Sequence, residues 1–238
     1  MSAVRILLIS NSTLHGRGYL DHAEDAIRKT LGRARRLLFF PFALYDRDGY
    51  AAKATARFGA MGYEMKSAHN TTDPAKAIAE ADGIFIGGGN TFRLLKALQD
   101  LELIDPIRRR VGEGVPYIGS SAGSNVAGPT IKTTKDMPIV QPRSFDSLGL
   151  VPFQISPHFQ DPDPNSTHMG ETQEERIVQF LEENQTPVLG MREGAWVVAE
   201  TGRVILGGTC GARIFRRGEM PVEKTTGDDI SSLVGAPE

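Results

Sequence analysis

Short, nearly continuous apolar runs alternate along this chain with segments of helical spacing. Val4 to Ser10, Arg36 to Phe42 and Gly83 to Ile86 read as strands buried on both faces, because polar residues do not interrupt them with a period of two. Polar Asn11-Ser12-Thr13 reads as a loop at the carboxyl end of the first strand, and a proline stops the second. A weaker strand covers Tyr63 to Lys66, and Val115 to Gly119 is a fifth. Helical segments lie between them: Tyr19 to Leu31, Gly49 to Met61, Asp73 to about Ala81, Phe92 to Gln99, and one from Asp105-Pro106 to Gly112. Asp73-Pro74 has the chemistry of a helix start, with a capping carboxylate followed by a proline whose missing N–H is not needed there.

The second half is less regular. Pro129 to Pro138 is polar and irregular, Phe145 to Phe153 reads as a connecting strand region, and Asp161 to Ser166 is a loop. Glu174 to Glu183 is helical. Val188 to Met191, Trp196 to Val198, Arg203 to Gly207 and Ala212 to Phe215 suggest a late antiparallel meander. The pattern predicts an α/β fold: a mostly parallel, doubly wound sheet flanked by helices, with antiparallel strands added late and sites at the carboxyl ends of strands. One domain over 1–238 is expected, with a tail from about residue 223 poorly ordered or peripheral.

Composition narrows the function classes. The 238 residues are 40% hydrophobic and 24% charged, with a formal net charge of −2, which gives no electrostatic case for nucleic acid or an anionic membrane. No apolar run approaches the length of a membrane span. The N-terminus passes too quickly into the first strand to be laid out as a signal peptide. A single cysteine, Cys210, rules out an intrachain disulfide and fits the cytoplasm. The expected partner is a small molecule, and the sequence leaves a homodimer open.

Two turns carry candidate chemistry. The strand ending at Gly119 runs into Gly119-Ser120-Ser121-Ala122-Gly123, a Gly-x-Ser-x-Gly elbow that exposes Ser121 above a sheet and offers the N–H of Ala122 at a helix start. Gly87-Gly88-Gly89-Asn90 lies between a strand and a helix but lacks the Lys-Ser/Thr ending of a phosphate loop. A serine nucleophile needs a base and an acid to orient it. His158, after a strand-like run and Pro157, sits where a strand end would hold its ring; His15, His22, His69 and His168 read as surface residues. Asp136 and Glu193 are both candidates for the acid. No spacing favours a metal, and no cofactor is expected.

Several blocks, in order over nearly the whole chain, resemble peptidase E, the α-aspartyl dipeptidase family, and through it the class I glutamine amidotransferase-like superfamily. They are Leu7 to Thr13, Gly87 to Phe92, Tyr117 to Gly123, Pro129 to Ile139, Pro157-His158-Phe159 and Glu193-Gly194. The resemblance implies a serine peptidase without cofactor that cleaves dipeptides bearing N-terminal aspartate. Ser121 would be its nucleophile and His158 its base, and either Asp136 or Glu193 would orient the imidazole. The oxyanion hole would come from Ala122 and the Gly88-Gly89 turn. The chain departs from the family pattern at Ser120, where tryptophan is usual, and at Gln173, where arginine is usual. Asn90, Lys132, Gln173, Arg176 and Arg192 are therefore the candidate substrate contacts, with an altered acyl substrate or a silent binding module as alternatives.

Overall fold

A computed structural model describes residues 4–167 and 169–235. Its main sheet has seven strands: β1 (Arg5–Ile9), β2 (Arg36–Phe40), β3 (Glu64–Ser67), β4 (Gly83–Ile86), β5 (Tyr117–Ser120), β8 (Ala195–Glu200) and β9 (Arg203–Gly208), in the order β3-β2-β4-β5-β1-β8-β9. The first five are parallel, and β8 and β9 extend that sheet antiparallel beyond β1. A second sheet, β11-β10-β7-β6, contains β6 (Gln154–Ser156), β7 (Val188–Met191), β10 (Ala212–Phe215) and β11 (Val222–Lys224). The late strands are antiparallel as expected, yet they form no single meander: β8 and β9 join the main sheet, whereas β7 and β10 pair in the other.

Alternation of side chains across the parallel strands explains the layers. Ile6, Leu8, Leu38, Phe40, Ile84, Ile86 and Tyr117 face one core with α3 (Pro74–Glu80), α4 (Thr91–Asp100) and α5 (Ile104–Gly112). Leu7, Ile9, Leu37, Phe39, Phe85 and Ile118 face the other, with α1 (Glu24–Leu31) and α2 (Arg47–Ala60). Helices thus cover both faces of an apolar parallel sheet, the arrangement that the uninterrupted strand runs require. A smaller cluster of Phe159, Ile177, Leu181, Val188 and Phe215 packs α7 (Gln173–Glu183) on the second sheet.

The local differences have local causes. The first helical segment opens late: Leu20 has φ 60°, a 3-10 turn covers Asp21–Ala23, and the α-helix begins at Glu24. Helix α6 (Ala122–Asn125) is a single turn, closed by Gly128 and Pro129. Phe145 to Phe153 forms no strand; one bridge, Thr130 to Asp146, is all that region contributes to pairing. Most described residues of the tail from about residue 223 are exposed, and the tail is held at a few points. β11 pairs with β10, and Ile230 and Leu233 are buried in the larger core because an apolar residue follows each polar turn.

Candidate active site

The carboxyl ends of β1, β4 and β5 lie side by side, and the β7–β8 connection crosses to them from the second sheet. Ser121 occupies the elbow after β5 with φ 54° and ψ −111°, a backbone that an L residue adopts only under constraint. The flanking glycines make the turn sterically attainable. A Cβ on Gly119 would strike the carbonyl of Gly123, and one on Gly123 would strike the carbonyl of Ile86.

Ser121 Oγ lies 2.9 Å from His158 Nε2, and His158 Nδ1 lies 2.7 Å from Glu193 Oε1. A carboxylate only accepts, so the contact with Glu193 places the proton on Nδ1 and leaves the Nε2 lone pair facing the hydroxyl. The side chains of His158 and Glu193 are 39% and 56% exposed, so the array opens to solvent on one side. Such an array can remove a proton from the hydroxyl and return it to a leaving group.

Asp136 does not approach the imidazole in this network. Its carboxylate accepts from the N–H and Oγ1 of Thr91, at 2.7 and 2.6 Å, and so pins the Pro129 to Pro138 segment on the first turn of α4. Asn90 serves the same join: its Oδ1 caps α4 at Arg93 N and its Nδ2 donates to Met137 O. The sequence left two carboxylates open, and the contact at the imidazole belongs to Glu193.

The end of β1 organises the array, which its polar sequence did not reveal. Ser10 Oγ donates to Met191 O and accepts from His158 N, both at 2.9 Å, so one buried hydroxyl joins β7 to the histidine. Asn11, also buried, accepts from Gly194 N at 2.7 Å and fixes the turn that carries Glu193. Ile9 O receives the N–H of Ser121 at 2.9 Å. Three consecutive residues therefore set the heights of nucleophile, imidazole and carboxylate. Ser10 read as the end of a strand and Asn11 as the start of a loop, because their partners lie more than 100 residues away along the chain.

The glycine turn after β4 covers Ser121 from above. A Cβ on Gly88 would stand 2.9 Å from Ser121 Cβ, and Gly89 has φ 132°. Gly88 N–H is committed: it donates to Tyr50 Oη at 2.8 Å. Among the described residues, neither Gly89 N–H nor Ala122 N–H donates to another protein group. Two of the three expected oxyanion donors are thus free, while Gly88 acts through its shape and its anchor. Tyr50 comes from α2, and burial raises its phenol pKa and keeps it a neutral acceptor.

The expected substrate contacts diverge. Arg192 is engaged by Asp161 and Glu223 along two edges of its guanidinium, which raises its pKa and lowers theirs, so it braces the second sheet. Lys132, Gln173 and Arg176 line one small cavity of about 80 Å³, together with Lys135, which the sequence reading did not single out. Lys135 Nζ donates to His158 O at 2.7 Å and to Gln173 Oε1 at 3.0 Å. Desolvation of its ammonium lowers the pKa to about 8. Of the other histidines, His15 is exposed, His22 is half-buried, and His69 is held between Ser67 and Asp48 with its side chain 9% exposed; His168 lies outside the described residues.

Comparison with known proteins adds sequence and fold likeness. The model of peptidase family S51 matches residues 6–207. A Streptomyces coelicolor protein named "Peptidase E" is 52% identical over 231 residues, covering 97% of this chain and 95% of that protein. A Drosophila melanogaster protein named "Probable alpha-aspartyl dipeptidase" is 45% identical over 218 residues, covering 90% of this chain and 91% of that protein. The crystal structure of a peptidase from an acI-B1 Actinobacterium superposes with a TM-score of 0.72 at 16% identity, over 95% of this chain and 96% of that one, a likeness of fold.

Proposed function

The chain belongs to peptidase family S51, and from that premise we propose a serine dipeptidase that cleaves Asp-X dipeptides through an acyl-enzyme. The observation that carries this reading is the continuous contact from Ser121 Oγ through His158 to Glu193, at 2.9 and 2.7 Å, beneath two uncommitted backbone N–H groups.

In the first half-reaction Ser121 Oγ attacks the scissile carbonyl while its proton passes to His158 Nε2. The carbonyl oxygen gathers negative charge facing the N–H groups of Gly89 and Ala122, each worth about 3 kcal/mol in such a role. Collapse of the tetrahedral adduct breaks the C–N bond, and His158 gives its proton to the departing amine. Water then enters, loses a proton to His158 and attacks the ester; the aspartate leaves and Ser121 recovers its proton. Glu193 holds Nδ1–H throughout and stabilises the imidazolium. Asp136 stands outside this exchange and keeps the adjoining segment docked on α4.

Among the described residues no helix is long and apolar enough to cross a membrane. Cys210 is free and exposed, which suits the reducing cytoplasm in which we place the enzyme. A panel of Asp-X, Glu-X, β-aspartyl-X and aryl-ester substrates tests the reading. Preferred turnover of Asp-X is expected; turnover of esters with Asp-X left intact would overturn the dipeptidase assignment while keeping the hydrolytic array.

A further inference from the structure

We propose that Lys135, with Gln173 beside it, reads the side-chain carboxylate of the substrate's N-terminal acidic residue. The inference rests on the dipeptidase reading and supplies the cation that reading needs. Arg192, one of the arginines placed near the site, is saturated by Asp161 and Glu223, and Arg176 faces Glu171 at 3.6 Å. Lys135 has no carboxylate within ion-pair distance among the described residues.

The geometry is that of a two-armed carboxylate site. An ammonium has three N–H donors, and two are used, toward His158 O and Gln173 Oε1. The third remains for a ligand. Gln173 Oε1 also accepts from Gln160 N at 2.9 Å, which fixes the amide so that its Nε2 donors, unpartnered among the described residues, lie on the other side. Charge from the lysine and direction from the amide together offer what a single guanidinium offers a carboxylate. The cavity they share, about 80 Å³, holds roughly two or three water-sized bodies, room for a short acidic side chain. It borders Ser156, two residues before His158, and Lys135 bonds the His158 carbonyl at 2.7 Å, so the cavity adjoins the segment that carries the imidazole.

The charged groups facing Lys135 come from three elements. Partial desolvation by the surrounding atoms lowers its pKa although the residue as a whole is exposed, Asp136 on its own segment and Glu193 in the β7–β8 turn favour the ammonium, and Arg176 on α7 opposes it. Lys132 lines the same cavity. The Lys135 pKa is lowered to about 8, within reach of assay.

The test compares kcat/KM on an Asp-X dipeptide and its Asn-X isostere in wild type, Lys135→Met and Lys135→Arg. Lys135→Met also removes the bond to His158 O, which affects both substrates, so the readout is the ratio Asp-X to Asn-X. That ratio should fall about 10- to 100-fold in Lys135→Met and recover in Lys135→Arg. In wild type it should decline above about pH 8, and in Lys135→Arg it should stay flat; the substrate's α-amine titrates in both dipeptides and cancels. An unchanged ratio in Lys135→Met would overturn the inference and leave Lys135 a prop for His158. Absence of Asp-X turnover in wild type would instead overturn the dipeptidase reading itself.

Discussion

Replacing Tyr50 with phenylalanine isolates the support of the oxyanion turn from the turn itself. The phenol is buried, 8% exposed, and its Oη receives Gly88 N–H at 2.8 Å, while Tyr19 Oη stands 3.4 Å away. Phenylalanine keeps the ring and its edge contact with Phe39 but leaves Gly88 N–H without an acceptor. Losing the partner of a half-buried N–H costs about 1–3 kcal/mol, which the fold can bear in part as lower stability. The peptide can also turn toward another acceptor, carrying the adjacent Gly89 N–H away from the developing oxyanion; full loss of one such donor is worth about 3 kcal/mol, roughly 10²-fold in kcat. Two neighbours limit that rotation, since Gly87 N bonds Phe40 O at 3.3 Å and Asn90 N bonds Ala43 O at 2.9 Å. We therefore expect kcat on an Asp-X substrate to fall about 10- to 100-fold with KM nearly unchanged. A peptide-aldehyde inhibitor that forms the same oxyanion should lose affinity by a similar factor. Tyr50→Phe with wild-type kcat and a lowered Tm would refute the reasoning, because it would make the phenol a packing residue alone.

Glu193→Gln should lower kcat about 10²- to 10³-fold, less than for a buried triad carboxylate, because its side chain is 56% exposed and water replaces part of its role. Asp136→Asn should instead act mainly on KM, through the Thr91 contact, and steady-state kinetics of the pair separates orienting the base from docking the segment. Ser10→Ala removes a hydroxyl that both donates and accepts in the core; thermal or denaturant unfolding should register a loss of about 2–4 kcal/mol, with kcat lowered as the His158 loop loosens.

What was legible in the sequence follows the range of the interactions. The five parallel strands and their helices were readable because double-sided burial leaves an apolar run, and caps such as Asp73 write themselves locally; its carboxylate does accept from Lys76 N. The division of the late strands was not readable, since whether Trp196 pairs with Ile9 or with a neighbour in sequence is a choice between distant partners. The same holds at the site. Ser121 and His158 stood out through turn chemistry, whereas Asp136 and Glu193 differ only in which of them reaches the imidazole in space. Ser10, Asn11, Tyr50 and Lys135 did not stand out because each resembles its bland counterpart: a strand end, a loop residue, a core aromatic, a solvated lysine. How the tail is anchored was unreadable for a related reason, because Ile230 and Leu233 enter a core built by residues distant along the chain while most of the residues around them stay exposed.

The most direct test of the central claim is kcat/KM of Ser121→Ala on the best Asp-X substrate, measured on protein whose circular dichroism and Tm match wild type. Removing the nucleophile from such an array should lower the value at least about 10⁴-fold. A folded Ser121→Ala enzyme retaining activity within tenfold of wild type would contradict the account.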